Sequence, residues 1–131
     1  MMNRSAFVSS ILVFVLSFVL YVQGAAISVQ GMDAGEFMTV AAKGGRLHPS
    51  GYPLAVYLMQ FLNELPYENP AWKSSLFSAI FGALALAVQS IVINRLTKST
   101  VLSISLPLIL ACSPLWLRYC TVAEVFASAA F

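Results

Sequence analysis

Hydrophobic positions fall along this chain in long unbroken runs, separated by short polar stretches. The first run, Ala6 to Val22, carries no charge and follows Arg4. About 20 apolar residues rising roughly 1.5 Å each cross a bilayer core, so residues 6–22 predict a first membrane span. A short basic start and the small-residue site Val22-Gln23-Gly24 also suit a cleaved signal peptide. The apolar run is long for that role, and a retained span is the preferred reading.

Residues 24–69 break the pattern. This stretch holds four of the five acids, with Lys43, Arg46 and the single histidine. Glu36 to Lys43 predicts a short helix that stops at Gly44-Gly45, where glycine takes the left-handed conformation without a steric cost. "LHPSGYP" follows as a rigid elbow: its prolines fix φ and restrict the residues before them, and Gly51 permits a sharp bend. Leu54 to Leu65 is apolar but too short to cross a membrane. It is expected to lie along the interface or to dip in and return, with Tyr57 and Phe61 sharing a face.

Asn69-Pro70 opens the next helix, Asn as the cap and Pro at the first helical position. Residues 70–98 predict a second span. Ser75, Ala79, Ala83 and Ala87 form a small-residue ridge along it, of the kind that lets membrane helices approach closely. Residues 100–117 predict a third span, marginal in length and interrupted by Pro107 and Pro114. Trp116, Arg118 and Tyr119 read as an interfacial belt, and residues 119–131 as a further helix beginning near Thr121. That helix is still in mid-run at Phe131, so the chain reads as the N-terminal piece of a larger membrane protein. The expected fold class is all-α: a polytopic helical membrane protein with about three transmembrane helices and short interfacial helices in its first extracytoplasmic loop.

Composition sharpens this. Charged residues make up 9% of the chain and hydrophobic ones 60%, and the mean hydropathy is +0.85. Soluble domains carry roughly 25% charged residues, and a small body cannot hide so much apolar surface from water. Lipid is therefore a partner. The net charge of +2 comes from scattered cations, which leaves no footprint for nucleic acid. Cys112 and Cys120 read as small packing residues, and one histidine with no CxxC spacing builds no conventional zinc site. No cofactor follows from the sequence, and a dependence on a divalent metal is left open.

Orientation follows from cations beside the spans. The amino terminus, Arg4, Arg95 and Lys98 favour one side as cytoplasmic, although Lys73 and Arg118 sit near span ends on the other. Parity then brings Asp33, Glu36, His48, Glu64, Glu68 and Glu124 out together on the extracytoplasmic face.

Two stretches have the form of capping boxes, Asp33-Ala-Gly-Glu36 and Thr121-Val-Ala-Glu124. Capping does not exclude catalysis, because a carboxylate at a helix start is held in a fixed rotamer, as a general base must be. Desolvation would raise its pKa and the helix N-terminus would lower it. His48 suits a ligand, an acid/base group, a phosphate contact or a structural bond to the elbow backbone. Lys43, Arg46 and Arg118 suit a lipid-linked phosphate or ordinary headgroups. Tyr52, Tyr57, Trp72 and Trp116 read as interface anchors.

Three blocks in order, "DAGEF…HPSGYPL", "NPAWKSSLFSAIFGALA" and "SPLW…AEVF", carry a resemblance. From Asp33 to Phe131 the chain resembles the N-terminal region of membrane proteins related to protein O-mannosyltransferases, in the GT-C glycosyltransferase superfamily. That family's pattern reads D-S-G-E, H-P-P-G-Y-P and A-E-V-Y. Ala34, Ser50 and Phe126 depart from it, while every acidic and histidine motif position is kept.

The resemblance implies an integral membrane enzyme of the bacterial inner membrane or endoplasmic reticulum, its active site facing periplasm or lumen. Such enzymes move a sugar, here mannose, from a polyprenyl-phosphate donor to a hydroxyl acceptor such as a protein Ser or Thr. Carried onto this chain, Asp33 is the essential acid and expected general base of an inverting displacement, with Glu36 its catalytic neighbour. His48, Pro49, Gly51, Tyr52 and Pro53 would form the loop element beside the site, with Glu124 reaching the same side. On its residues alone the chain also admits a transporter or channel subunit with intramembrane acids, or a non-catalytic scaffold. With helices of the donor cavity missing, these 131 residues are not expected to catalyse transfer alone.

Overall fold

The computed structural model describes residues 4–31, 33–49, 51–67 and 69–129. Seven helices appear among them, and no strand. Two are long and apolar enough to cross a membrane: α1 (Arg4–Gly24) and α4 (Pro70–Thr97). The chain is an all-helical integral membrane protein. At about 1.5 Å per residue, the 28 residues of α4 span roughly 42 Å, well beyond the ~30 Å hydrocarbon core. Its first third therefore reaches into a second layer.

The third predicted span is broken. α5 (Thr100–Ala111) and α6 (Pro114–Thr121) meet at 72°, and only the pair together is apolar and long enough to pass. The break falls at Pro114, not Pro107. Ser113 adopts an extended backbone and Pro114 becomes the first residue of the new helix, where its missing N–H costs nothing. Pro107 is carried inside α5. The last helix also begins later than the sequence suggests, because Thr121 ends α6 and α7, described over Phe126–Ala129, starts at Phe126.

α1, α4, α5 and α6 share one core. Val13 and Tyr21 of α1 pack with Ala79, Ala83 and Leu86 of α4, and with Ala111 and Cys120. Ser75, Ala79 and Ala83 are fully buried, so the small-residue ridge is used inside this bundle. Gly82 continues it, because a Cβ there would lie 2.3 Å from the Cys120 sulfur. Cys120 thus packs as expected, whereas Cys112, at the C-cap of α5, is exposed.

α2 (Asp33–Lys43) and α3 (Pro53–Asn63) form the second layer against the start of α4. Phe37, Met38, Ala55, Met59 and Phe77 make its core together with Ala123. α2 starts three residues earlier than the pattern suggests and ends where expected, with Gly44 at φ 77° and Gly45 at φ 124°. Tyr52, at φ 38°, turns the elbow into Pro53. The far end of α3 is held by buried Lys73, whose Nζ donates to the carbonyls of Asn63 at 2.6 Å and Leu65 at 3.3 Å. α3 buries Ala55 and Met59 while Leu54, Tyr57 and Phe61 stand about 70% exposed, an apolar stripe suited to a membrane interface.

Asn69 accepts from the Trp72 N–H at 3.0 Å, as a cap before Pro70 should, and its amide donates to the Ile27 carbonyl at 2.8 Å. The indole of Trp72 donates to the Val22 carbonyl, and the Ala26 N–H donates to the Thr121 carbonyl at 2.8 Å. These bonds gather the end of α1, the start of α4 and the end of α6 at one end of the bundle. The second layer sits on that end.

Candidate functional site

Before α2 the chain lies back over the helix it is about to enter. An ideal Cβ on Gly35 would come within 2.4 Å of the Gln30 carbonyl oxygen, so the glycine of the D-x-G-E sequence permits this approach. Gln30 and Asp33 then line a cleft of about 320 Å³ together with Arg118, Tyr119, Glu124 and Phe126. Asp33 is exposed to the cleft as the first residue of α2.

Glu124 comes from an irregular segment between α6 and α7. Its N–H donates to Ser78 Oγ at 2.9 Å, and the same hydroxyl donates to its carbonyl at 2.8 Å. Burial pushes the Glu124 carboxyl above the ordinary carboxylate range, the Asp33 charge adds to that, and the Arg118 guanidinium offsets part of it. The cleft thus brings together exposed Asp33, half-buried Glu124 and the Arg118 guanidinium.

Neither capping box forms as the spacing suggests. Glu36 turns away from the helix start: one carboxylate oxygen accepts the His48 N–H at 2.8 Å and the other meets His48 Nδ1 at 2.5 Å. Thr121 bonds back to its own helix through the Leu117 carbonyl, while the Glu124 N–H goes to Ser78. The His48 bonds, side chain before backbone, hold Glu36 below its ordinary value. The Glu36 bond holds His48 above its own. Both groups are solvent-exposed, and the pair clips the elbow onto α2. Tyr52 continues this cluster, its ring 6.4 Å from His48 and 5.7 Å from Phe37.

The candidate residues therefore separate. Asp33, Arg118 and Glu124 share the cleft, while Glu36, His48 and Tyr52 form the adjoining elbow. Arg46 lines a different hollow with Leu47, Tyr57 and Gln60, and Lys43 lines a third behind α2. Glu68 and Ser50 lie outside the described residues. Among the described residues no three His, Cys, Asp or Glu side chains gather as a metal site. Ser78, Gly35 and Gln30 are neighbours of the cleft that spacing could not reveal, since each is brought there by a contact made only in the fold.

The sequence comparison begins at the same aspartate. Residues 33–131 match the family model described as the protein O-mannosyl-transferase TMEM260 N-terminal domain. The chain belongs to this family. Among its TMEM260 relatives, the protein O-mannosyl-transferase tmem260 of Dictyostelium discoideum is 33% identical over 87 residues, covering 64% of this chain and 11% of that protein. The protein O-mannosyl-transferase TMEM260 of Mus musculus is 33% identical over 100 residues, covering 76% of this chain and 14% of that protein. The chain thus spans only a small fraction of the length of either relative. No solved structure matches it. In this chain the cleft and the adjoining elbow bring Asp33, Glu36, His48, Arg118 and Glu124 to neighbouring places.

Proposed function

We propose that this chain is the N-terminal part of a GT-C type protein O-mannosyltransferase, which moves mannose from a polyprenyl-phosphate donor to a Ser or Thr hydroxyl. The observation that carries the reading is the cleft in which Asp33 faces Arg118 and Glu124. A Ser or Thr hydroxyl is a poor nucleophile near neutral pH, so a fixed carboxylate must take its proton as the bond forms. Asp33 fills that role. The hydroxyl oxygen attacks the sugar C1, its proton passes to Asp33, and the C1–O bond to phosphate breaks with inversion.

The leaving phosphate keeps the bonding pair, and Arg118 stabilises its charge. Glu124 lines the same cleft, where burial and the Asp33 charge disfavour its ionised form. Glu36 serves the reaction indirectly by fixing His48 and the elbow. His48 and Tyr52 then border the donor's path at the membrane surface, on the extracytoplasmic side that parity favours. Arg46 is a headgroup contact at the rim.

The test is mannose transfer from a polyprenyl-phosphate donor to a Ser/Thr peptide by the full-length protein. Asp33→Asn is expected to lose at least about 10²-fold, the usual scale of general-base catalysis, with its unfolding midpoint unchanged. Undiminished transfer by a folded Asp33→Asn protein would overturn the base assignment.

A further inference from the structure

We infer that Ser78 is a positioning residue for Glu124, holding its backbone so that the carboxyl stays in the cleft beside Asp33 and Arg118. The assignment rests on a contrast within α4. Ser74 and Ser75 donate to the carbonyls of Pro70 and Ala71, each one turn back, as hydroxyls in an apolar helix ordinarily do. Ser78, equally buried, donates instead to Glu124, 46 residues away in sequence, and accepts from the same residue.

One hydroxyl thus satisfies both backbone groups of one residue. The need for it is physical. Ser78 is the ninth residue of α4, about 12 Å along the axis. The segment lying against it is not helical, and neighbouring Ala123 is fully buried. Irregular backbone in such a setting must find partners for its N–H and C=O groups. A side chain pointing sideways from α4 supplies them, and it fixes the position of Glu124 relative to the bundle.

The charged groups facing Glu124 are Asp33, which repels its ionised form, and Arg118, which favours it. With Ser78 removed, the segment relaxes toward solvent and the carboxyl gains hydration. This deepens the transferase reading, since the value of a fixed Glu124 to transfer depends on it. The test is therefore made independent of transfer.

In the full-length protein, the carboxyl band of Glu124 is isolated by infrared difference against Glu124→Gln and titrated. Ser78→Ala is expected to lower its midpoint toward the ordinary glutamate value, and Ser78→Thr, which keeps the hydroxyl, to restore it. An unchanged midpoint in Ser78→Ala would overturn the proposal. Should Ser78→Ala not fold, amide exchange in the unmodified protein decides. The Glu124 N–H, though outside any helix, should exchange as slowly as those of α4, and rapid exchange there would refute the clamp.

Discussion

The two ends of α4 keep different company. Its C-terminal two-thirds pack against α1 and α5 through Val13, Ala83 and Leu86, and polar groups there mostly bond within their own helix. The buried pair Asn94–Ser103, at 3.3 Å, is an exception. Its N-terminal third carries α2, α3 and α7, and there, beside the bonds of Ser74 and Ser75 back along α4, several polar bonds run between segments. Ser78 holds Glu124, Lys73 holds the end of α3, Asn69 holds Ile27, and Glu36 holds His48. In lipid the bundle is held by close packing of small residues and by a few interhelical bonds, Tyr21 to the Ala111 carbonyl and Asn94 to Ser103. The second layer adds bonds between segments to its apolar core, and Asp33, Glu36 and His48 lie in it.

This contrast can be broken at one glycine in each region. In the bundle, Gly82→Ala drives a Cβ into the Cys120 sulfur, with the Cys120 Cβ at 3.2 Å behind it. Overpacking of this kind costs about 1–3 kcal/mol. The expected outcome is a lower unfolding midpoint for the whole protein in detergent, partly recovered by adding Cys120→Ala. An unchanged midpoint would mean that α6 does not press on α4 as described.

A more local effect is expected at Gly35→Ala. The Cβ would meet backbone, the Gln30 carbonyl, which cannot rotate aside. Such a clash costs about 1–3 kcal/mol, borne by the second layer. Hydrogen exchange should rise across residues 25–48 while α1 and the far end of α4 stay protected. A rise shared equally by the bundle would show that the two regions are one cooperative unit.

The smallest effect is the pH response of the elbow. Glu36 is held below its ordinary 4.5, so its contribution is present above that value and is lost as pH falls through the lowered one. His48 is held above its ordinary 6.5, so its contribution is full below that value and fades as pH rises through the raised one. The pair is therefore strongest between about 4.5 and 6.5. Exchange at residues 45–49 should be slowest there, after correction for intrinsic rates, and Glu36→Gln should flatten the profile. The bundle should show no such response.

What the sequence makes legible follows the same division. Long uncharged runs foretell α1 and α4, and Asn69-Pro70 marks the start of α4 correctly. Pro114 shows that the third run is interrupted, but the 72° bend arises from a local competition between one proline and an apolar run too short to override it. Capping boxes at Asp33 and Thr121 were reasonable from spacing and are not formed, because partners distant in sequence compete for the same groups. His48 takes the Glu36 carboxylate and Ser78 takes the Glu124 backbone. Arg46 and Arg118 look alike as isolated cations, and only the fold separates the hollow of the first from the cleft of the second.

The central claim is that Asp33 does chemistry in the cleft while Glu36 holds the elbow. It is tested most directly by ranking Asp33→Asn against Glu36→Gln in mannose transfer by the full-length protein. Asp33→Asn should fall by at least about 10²-fold, and Glu36→Gln by no more than about tenfold. The opposite order, or equal losses in two folded variants, would contradict the account.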